Sequence, residues 1–214
     1  MIERSVETAT HGRYLVEAAR PGLPLLVGFH GYAESAEIQF QRLKEIEGAE
    51  HWTLLSIQAL HRFYRGRSSG VVASWMTSQD RELAIADNRA YTAKVIEVES
   101  REWSSPGKVV TTGFSQGVAM AFRCAVAMGE RTAGVIALAA DIPPELDDVS
   151  LRRIPGVLLG RGTTDDWYTA ERMAQDESRL RQAGVSVECL TFEGGHEWTP
   201  AFSEAAARFL KSRR

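Results

Sequence analysis

The chain has 214 residues, of which 44% are hydrophobic and 25% charged, with a formal net charge of −3 and an isoelectric point near 6.0. This composition is that of an ordinary globular protein, and the length suits one domain, residues 1–214, with a sizeable core. Because the charge offers no bulk attraction to a polyanion, a nucleic-acid partner is not expected.

Features of secreted or membrane-spanning chains are not found in the sequence. The N-terminal stretch carries acidic residues early, and no run of about 18 apolar residues occurs anywhere. Cys124 and Cys189 form no CxxC pair and no metal-ligand spacing, and their apolar neighbours predict two buried, reduced thiols. We therefore expect a cytoplasmic protein without a metal ion. The sequence is compatible with a monomer and with a homodimer.

Apolar runs alternate with longer helical patterns along the chain. Strands are predicted at Tyr14–Ala18, Pro24–His30, Thr53–Ile57, Lys108–Gly113, Gly134–Ala140, Pro155–Gly160 and Ser186–Phe192. Helices are predicted at about Ser35–Ala49, Gln79–Glu102, Gln116–Met128, Trp167–Ala183 and Pro200–Lys211. Several strands are continuous apolar runs, which is typical of strands covered on both faces. The pattern predicts an α/β three-layer sandwich with a mostly parallel sheet and no room for a cap domain.

A G-x-S-x-G string stands between the predicted strand KVVTT and the predicted helix VAMAFRCAVAM. The string alone occurs by chance, but a strand–turn–helix context is what an exposed nucleophilic serine needs. Gly113 and Gly117 would let strand and helix approach, and the helix N-terminus would place amides beside a developing oxyanion. Ser115 is therefore the predicted nucleophile; the alternative is a glycine-rich turn without chemistry.

A serine hydroxyl needs a base, and five histidines are available. His11 lies in the N-terminal segment, His51 near a helix end and His61 in an arginine-rich loop, whereas His30 ends a strand. His196 follows a predicted strand in a loop with two glycines, which would let its imidazole reach across the strand ends. His196 is the predicted base.

A serine and a histidine of this kind work with a carboxylate as third member, and in this type of fold the carboxylate lies between the serine and the histidine in the sequence. Asp165 and Asp166 follow the predicted strand PGVLLG, and Asp141 follows GVIALAA. The carboxylate would hold the tautomer of the imidazole and stabilise its protonated form. Whichever of Asp165 and Asp166 is not used is predicted to cap the helix that starts near Trp167.

Four segments make the chain resemble the phospholipase/carboxylesterase family, which includes the acyl-protein thioesterases. They are LLVGFHGY (25–32), TGFSQGVAMA (112–121), LLGRGTTDDW (158–167) and FEGGHEWTP (192–200). The resemblance implies an α/β-hydrolase fold with Ser115 as nucleophile, Asp165 as acid and His196 as base. It also implies that the oxyanion donors are the amides of Tyr32 and Gln116.

The resemblance has two departures, both in the acid loop. Arg161 stands where the family usually has histidine, and Asp166 stands where it often has proline. His30 matches the family's His-Gly turn, where the resemblance implies that it shapes the oxyanion loop rather than transfers protons.

The least typical stretch is Gln58–Ser78, which is predicted to be irregular. It contains four side chains for acyl contacts: Phe63, Tyr64, Trp75 and Met76. It also contains three arginines that would meet an anionic group or, in an ordinary surface loop, only solvent: Arg62, Arg65 and Arg67. With 8% aromatic residues and no lid insertion, the sequence favours a small ester with a short-to-medium acyl chain.

The sequence thus predicts a serine hydrolase that cleaves carboxylic esters through an acyl-enzyme, without metal or organic cofactor. A thioesterase or lysophospholipase would use the same machinery, and the fold does not choose between them. A homologue that keeps the pocket without turnover is the alternative from a different class. A metallohydrolase is disfavoured because the histidines lack H-E-x-x-H spacing.

Overall fold

The computed structural model describes residues 1–67 and 69–213. The strands in chain order are β1 (Arg13–Glu17), β2 (Leu25–Phe29), β3 (Thr53–Gln58), β4 (His61–Tyr64), β5 (Val71–Ser74), β6 (Val109–Phe114), β7 (Thr132–Leu138), β8 (Gly156–Gly162) and β9 (Ser186–Phe192). Seven of them form a sheet in the order β1-β3-β2-β6-β7-β8-β9, in which only β1 runs antiparallel to its neighbour. The other two, β4 and β5, form an antiparallel hairpin.

The helices cover both faces of the sheet. They are α1 (Ala36–Lys44), α2 (Arg81–Glu102), α3 (Gln116–Met128), α4 (Asp148–Leu151), α5 (Ala170–Gln182) and α6 (Pro200–Lys211). One apolar cluster joins alternate strand residues to α2, α3 and α5, and a second cluster joins the intervening residues to α1 and α6. None of these helices, in the part of the chain that is described, is long and apolar enough to cross a membrane.

The fold class predicted from the apolar runs is confirmed. β2, β3, β6, β7 and β8 are buried along their whole length. Side chains alternate between the two faces of a strand, so a strand covered by helices on both sides must be apolar at nearly every position. The result is a three-layer α/β-hydrolase sandwich, and residues 1–67 and 69–213 contain no separate cap domain.

Three predicted elements differ from the structure. The first helix ends at Lys44 instead of Ala49. The fourth begins at Ala170 instead of Trp167, and the indole of Trp167 is 78% exposed. The stretch predicted to be irregular contains the β4–β5 hairpin, whose pairing was missed because β4 is exposed throughout and lacks an alternating apolar pattern.

The last two helices have the ends that their sequences indicate. Thr199 caps α6, its side-chain oxygen accepting from the amide of Phe202, and Pro200 occupies the first turn. Gly184, at φ +84°, follows α5 in the left-handed conformation that glycine tolerates best. Both cysteines are free thiols, but only Cys124 is buried; Cys189 is exposed on the edge strand β9, which corrects the prediction for it.

Candidate active site

Ser115 occupies a sharp turn between β6 and α3. Its backbone has φ 52° and ψ −125°, a strained conformation for a residue with a side chain. A Cβ atom at Gly113 would overlap the backbone of Gly117, and a Cβ atom at Gly117 would overlap the carbonyl of Phe29. Both glycines of the motif are therefore required by close backbone approach, which presents Ser115 at the carboxyl end of the sheet.

A chain of two hydrogen bonds connects three side chains from distant parts of the sequence. The Nε2 atom of His196 lies 2.8 Å from the Oγ atom of Ser115, and its Nδ1 atom lies 3.0 Å from the Oδ2 atom of Asp165. The Asp165 side chain is fully buried, whereas that of His196 is 27% exposed. This arrangement orients the imidazole so that one nitrogen faces the hydroxyl and the other faces the carboxylate.

Among the three aspartates, the structure brings only Asp165 to the histidine. Its other oxygen, Oδ1, accepts from the amides of Trp167 at 2.9 Å and Tyr168 at 3.0 Å, which fixes the carboxylate in the loop. Asp166 is exposed, and Asp141 forms an ion pair with an arginine of α5.

The prediction that the unused aspartate caps the next helix is wrong. Helix α5 begins three residues later than a cap at Asp166 would require, and Thr169 is its cap, accepting from the amide of Arg172. The amides of Trp167 and Tyr168, which follow Asp166 in the chain, are bound by Asp165.

The loops that carry Asp165 and His196 are joined directly. The carbonyl of Gly194 accepts both the amide and the hydroxyl of Thr164, each at 2.9 Å. A Cβ atom at Gly162 would overlap the backbone of Gly194 and Gly195, so the two loops touch where they leave β8 and β9. This contact sets the distance between Asp165 and the histidine loop.

Arg161, the departure from the family pattern, lies beneath the acid loop. Its guanidinium is buried and donates to the carbonyls of Tyr168 at 3.2 Å and Thr163 at 3.1 Å. These carbonyls flank Asp165 on either side. Arg161 therefore bridges the two ends of the loop that carries Asp165.

A second buried carboxylate lies behind this loop. The Oδ2 atom of Asp176 accepts from the hydroxyl of Tyr168 at 3.0 Å and from the amide of Ile142 at 3.2 Å. Burial raises the pKa of Asp176 from 3.8 to about 6, and burial together with the nearby carboxylates raises the pKa of Tyr168. Sequence inspection missed Asp176 because it lies among charged residues on an otherwise polar helix.

The pKa of Asp176 predicts a pH-dependent free energy of unfolding. Because its folded-state pKa is raised, this group stabilises the protein fully below about pH 4, and the contribution is lost as the pH rises through about 6. The loss amounts to about 3 kcal/mol at most. Asp176→Asn keeps an oxygen for both donors, so the variant is expected to be about 1–3 kcal/mol more stable than the wild type at neutral to basic pH.

Urea unfolding at acidic and basic pH measures this difference. The Asp176→Asn variant should lose the part of the pH dependence that the wild type shows. Asp87→Asn, an exposed change on α2, should retain it. Parallel pH profiles for the wild type and Asp176→Asn would show that the buried carboxylate does not titrate in this range.

The turn after β2 contains Tyr32, whose backbone amide is an expected oxyanion donor. His30 precedes it and is fully buried, which lowers the pKa of its imidazole. Its Nε2 atom accepts from the amide of Ala59 at 3.1 Å, so the proton is on Nδ1, which donates to the carbonyl of Gly31 at 2.7 Å. His30 is thus a neutral structural residue that holds the turn in place.

The side chain of Gln116 connects the Ser115 turn to the end of β5. Its Oε1 atom accepts from the amide of Trp75 at 2.8 Å, and its Nε2 atom donates to the carbonyl of Met76 at 2.9 Å. Gln116 is also the first residue of α3, so its backbone amide has no intrahelical acceptor and remains available.

Four residues were predicted to contact the acyl chain, and for Trp75 the prediction is wrong. Its indole is 0% exposed and donates to the carbonyl of His30 at 2.8 Å, so it supports the turn from within the core and presents no surface to a substrate. Phe63 lies beside Tyr32 with ring centroids 5.8 Å apart, and Tyr64 is 67% exposed on the hairpin. Met76 is half-buried.

The arginines of the same stretch do not form one group. Arg62 donates to the carbonyl of His11 at 3.0 Å, which connects the hairpin to the N-terminal segment. Arg65 and Arg67 are exposed beyond the end of β4. Arg62 therefore helps to fix the N-terminal segment to the hairpin, a role that the composition of the loop did not indicate.

The sheet, the covering helices and the serine turn together define an α/β-hydrolase of the esterase type. The chain belongs to the phospholipase/carboxylesterase family, whose model matches residues 13–213. A search of curated protein sequences finds no match.

Solved structures share the fold at low sequence identity. The carboxylesterase of Bacillus cereus is 13% identical with a TM-score of 0.74, covering 95% of each chain. Acyl-protein thioesterase 2 of Zea mays is 18% identical with a TM-score of 0.73, covering 95% of this chain and 99% of its own. SOBER1 of Arabidopsis thaliana is 18% identical with a TM-score of 0.72, covering 90% of this chain and 99% of its own.

Proposed function

We propose that this protein is a serine hydrolase that cleaves small carboxylic esters with a Ser115–His196–Asp165 triad. The observation that supports it is the pair of hydrogen bonds at 2.8 and 3.0 Å that connects hydroxyl, imidazole and carboxylate. The strained turn at Ser115 is a second support, because it presents the side chain at the carboxyl end of the sheet, next to His196.

The reaction proceeds in two halves. Ser115 attacks the ester carbonyl while Nε2 of His196 takes its proton, and Asp165 holds the imidazole and stabilises the cation that forms. The amides of Tyr32 and Gln116 bind the oxyanion of the tetrahedral intermediate. His196 then gives its proton to the leaving alkoxide, which departs as the alcohol. Water attacks the acyl-enzyme by the same route and releases the acid and free Ser115.

Covalent capture with a fluorophosphonate tests the activated serine. The probe should attach to the native protein, and peptide mass spectrometry should place the adduct on Ser115. The heat-unfolded protein is the control and should not react, because an isolated serine hydroxyl is a poor nucleophile. A native protein that remains unlabelled would indicate a pocket-binding homologue without turnover.

Thioesters are the comparison substrates, since the same steps cleave them with a thiol as the leaving group. The structural likeness to an acyl-protein thioesterase is the reason to test acyl-CoA beside the esters. The free thiols of Cys124 and Cys189 accord with a reducing compartment, and we place the activity in the cytoplasm.

The acyl chain is expected to be short to medium. Each buried methylene contributes about 0.8 kcal/mol, so kcat/KM should rise with chain length only while the protein still covers the chain. With Trp75 in the core, the accessible contacts proposed for the acyl chain are Tyr32, Phe63, Tyr64 and Met76. The gain should therefore end within about four to eight carbons.

A panel of p-nitrophenyl esters from acetate to palmitate measures this dependence. An interfacial-activation assay on tributyrin emulsion accompanies it. A preference for the C16 ester, or a jump in rate above the solubility limit of tributyrin, would show a lipase-like site and contradict the prediction.

A further inference from the structure

Arg42 of α1 forms a two-point ion pair with Glu34. Its two terminal nitrogens donate to the two carboxylate oxygens at 2.7 and 2.8 Å, and the side chains are only 14% and 18% exposed. A guanidinium held at two points has a fixed position and orientation, which a single ammonium group does not provide. The pair is therefore a rigid feature of this side of the sheet.

Glu34 transmits this position to the turn that carries Tyr32. The same Oε2 atom that accepts from Arg42 also accepts from the amide of Gly31 at 2.8 Å, and the amide of Glu34 donates to the carbonyl of Gly31 at 3.3 Å. Gly31 directly precedes Tyr32. The carboxylate thus holds the backbone next to the proposed oxyanion donor.

The guanidinium of Arg42 also contacts the segments of the nucleophile and the base. Its central carbon lies 4.4 Å from the ring centroid of Phe114 and 5.7 Å from that of Trp198. The Phe114 ring is in turn 5.1 Å from the ring of His196. Phe114 directly precedes the nucleophile, so one cation touches three segments that must keep a common geometry.

We infer that Arg42 is a positioning residue that holds the oxyanion turn and the His196 imidazole in register with Ser115, an inference that rests on the proposed function. It acts through Glu34 on the turn and through Phe114 on the imidazole, and it contacts no reacting atom. Loss of the guanidinium leaves a mostly buried carboxylate without its cation, and the turn and the aromatic rings shift. Displacements of about 1 Å at such a site cost about 10²-fold in rate.

The test compares kcat and KM in Arg42→Met, Arg42→Lys and Glu34→Gln, each at a temperature at which circular dichroism shows the folded protein. We expect Arg42→Met to lower kcat by about 10²-fold with little change in KM, since alignment of the transition state is lost rather than substrate binding. Arg42→Lys should lose about tenfold because it restores the charge without the two-point geometry. The rate of fluorophosphonate labelling should fall in the same order.

The double variant Arg42→Met/Glu34→Gln tests whether the two side chains act as a unit. Its kcat should be no lower than that of the worse single variant, because both changes break one connection. Lys44→Met is the matched control: it removes another basic residue of α1 that is paired with a glutamate, Glu17 at 3.1 Å, but is exposed. Its kcat should equal that of the wild type.

A folded Arg42→Met variant with a kcat within twofold of the wild type, or with a change in KM alone, overturns the inference. If Arg42→Met does not fold, Arg42→Lys decides, and a wild-type kcat there overturns it as well. The proposed function fails separately: a wild-type protein inert to fluorophosphonate and to every ester refutes the triad. An active wild type with a silent Ser115→Ala and a fully active Arg42→Met refutes only the role of Arg42.

Discussion

Replacing Ser115 by alanine is expected to abolish ester turnover, lowering kcat by about 10⁶-fold as nucleophile deletions do in serine hydrolases. The hydroxyl lies 2.8 Å from the His196 imidazole, and alanine leaves that base with no nucleophile to activate. The fold should be retained, because the amide of residue 115 still donates to the carbonyl of Leu138 and the turn keeps both of its glycines.

Hydrolysis of p-nitrophenyl butyrate and fluorophosphonate labelling measure the effect, and urea unfolding checks the fold. Ser178→Ala, an exposed change on α5, is the matched control and should be fully active. Wild-type turnover in purified Ser115→Ala would end the assignment of Ser115 as the nucleophile.

The second large effect is expected for Asp165→Asn, which should lower kcat by about 10⁴-fold. An amide nitrogen placed 3.0 Å from Nδ1 of His196 donates where the carboxylate accepted, so the ring proton moves to Nε2. The imidazole then cannot take the proton of Ser115. The fold should be kept, because the amide oxygen can still accept from the amides of Trp167 and Tyr168.

Asp166→Asn is the control for this loop, and both variants are assayed by steady-state kinetics. Asp166 is exposed, and Thr169 rather than Asp166 caps α5, so activity should be unchanged and the free energy of unfolding should stay within about 0.5 kcal/mol of the wild type. An inactive Asp166→Asn beside an active Asp165→Asn would transfer the role of the acid to Asp166.

The arrangement of the site explains why its parts differ in how well they can be predicted. The serine turn is a local structure: two glycines, one strained residue, a strand before and a helix after all lie within about 20 residues of sequence. The base loop is similarly local, with two glycines after β9. Such segments carry their backbone requirements in their own residues.

The aspartate that partners His196 could not be chosen from its surroundings in the sequence. Asp165 and Asp166 are adjacent, and both precede a helix. The contact between the loops after β8 and β9, through Thr164 and Gly194, brings Asp165 next to the histidine loop, and the amides of Trp167 and Tyr168 fix its carboxylate. Resemblance to a family favoured the same residue, but the physical reason is a contact between segments 30 residues apart.

The position of Trp75, which directly follows the β4–β5 hairpin, also could not be predicted from the sequence. Trp75 was predicted to contact the acyl chain because it is an aromatic residue in the least typical stretch of the chain, Gln58–Ser78. The indole instead enters the core, since the carbonyl of His30 accepts its N–H and Gln116 binds its backbone. A polar anchor supplied by a distant strand reversed the expectation for an amphipathic side chain.

The sequence by itself determined the layered α/β architecture, the Ser115 turn and the glycine-containing loop of His196, because apolar periodicity and glycine placement act over short distances. The tertiary structure alone decided which aspartate meets His196, that Trp75 is internal, that Asp176 is buried beside Tyr168, and that Arg42 touches three segments of the site. Each of these depends on contacts between strands and helices that are far apart in the chain. Such contacts exist only once the strands have paired in the order β2-β6-β7-β8-β9, which brings the loops at their carboxyl ends together.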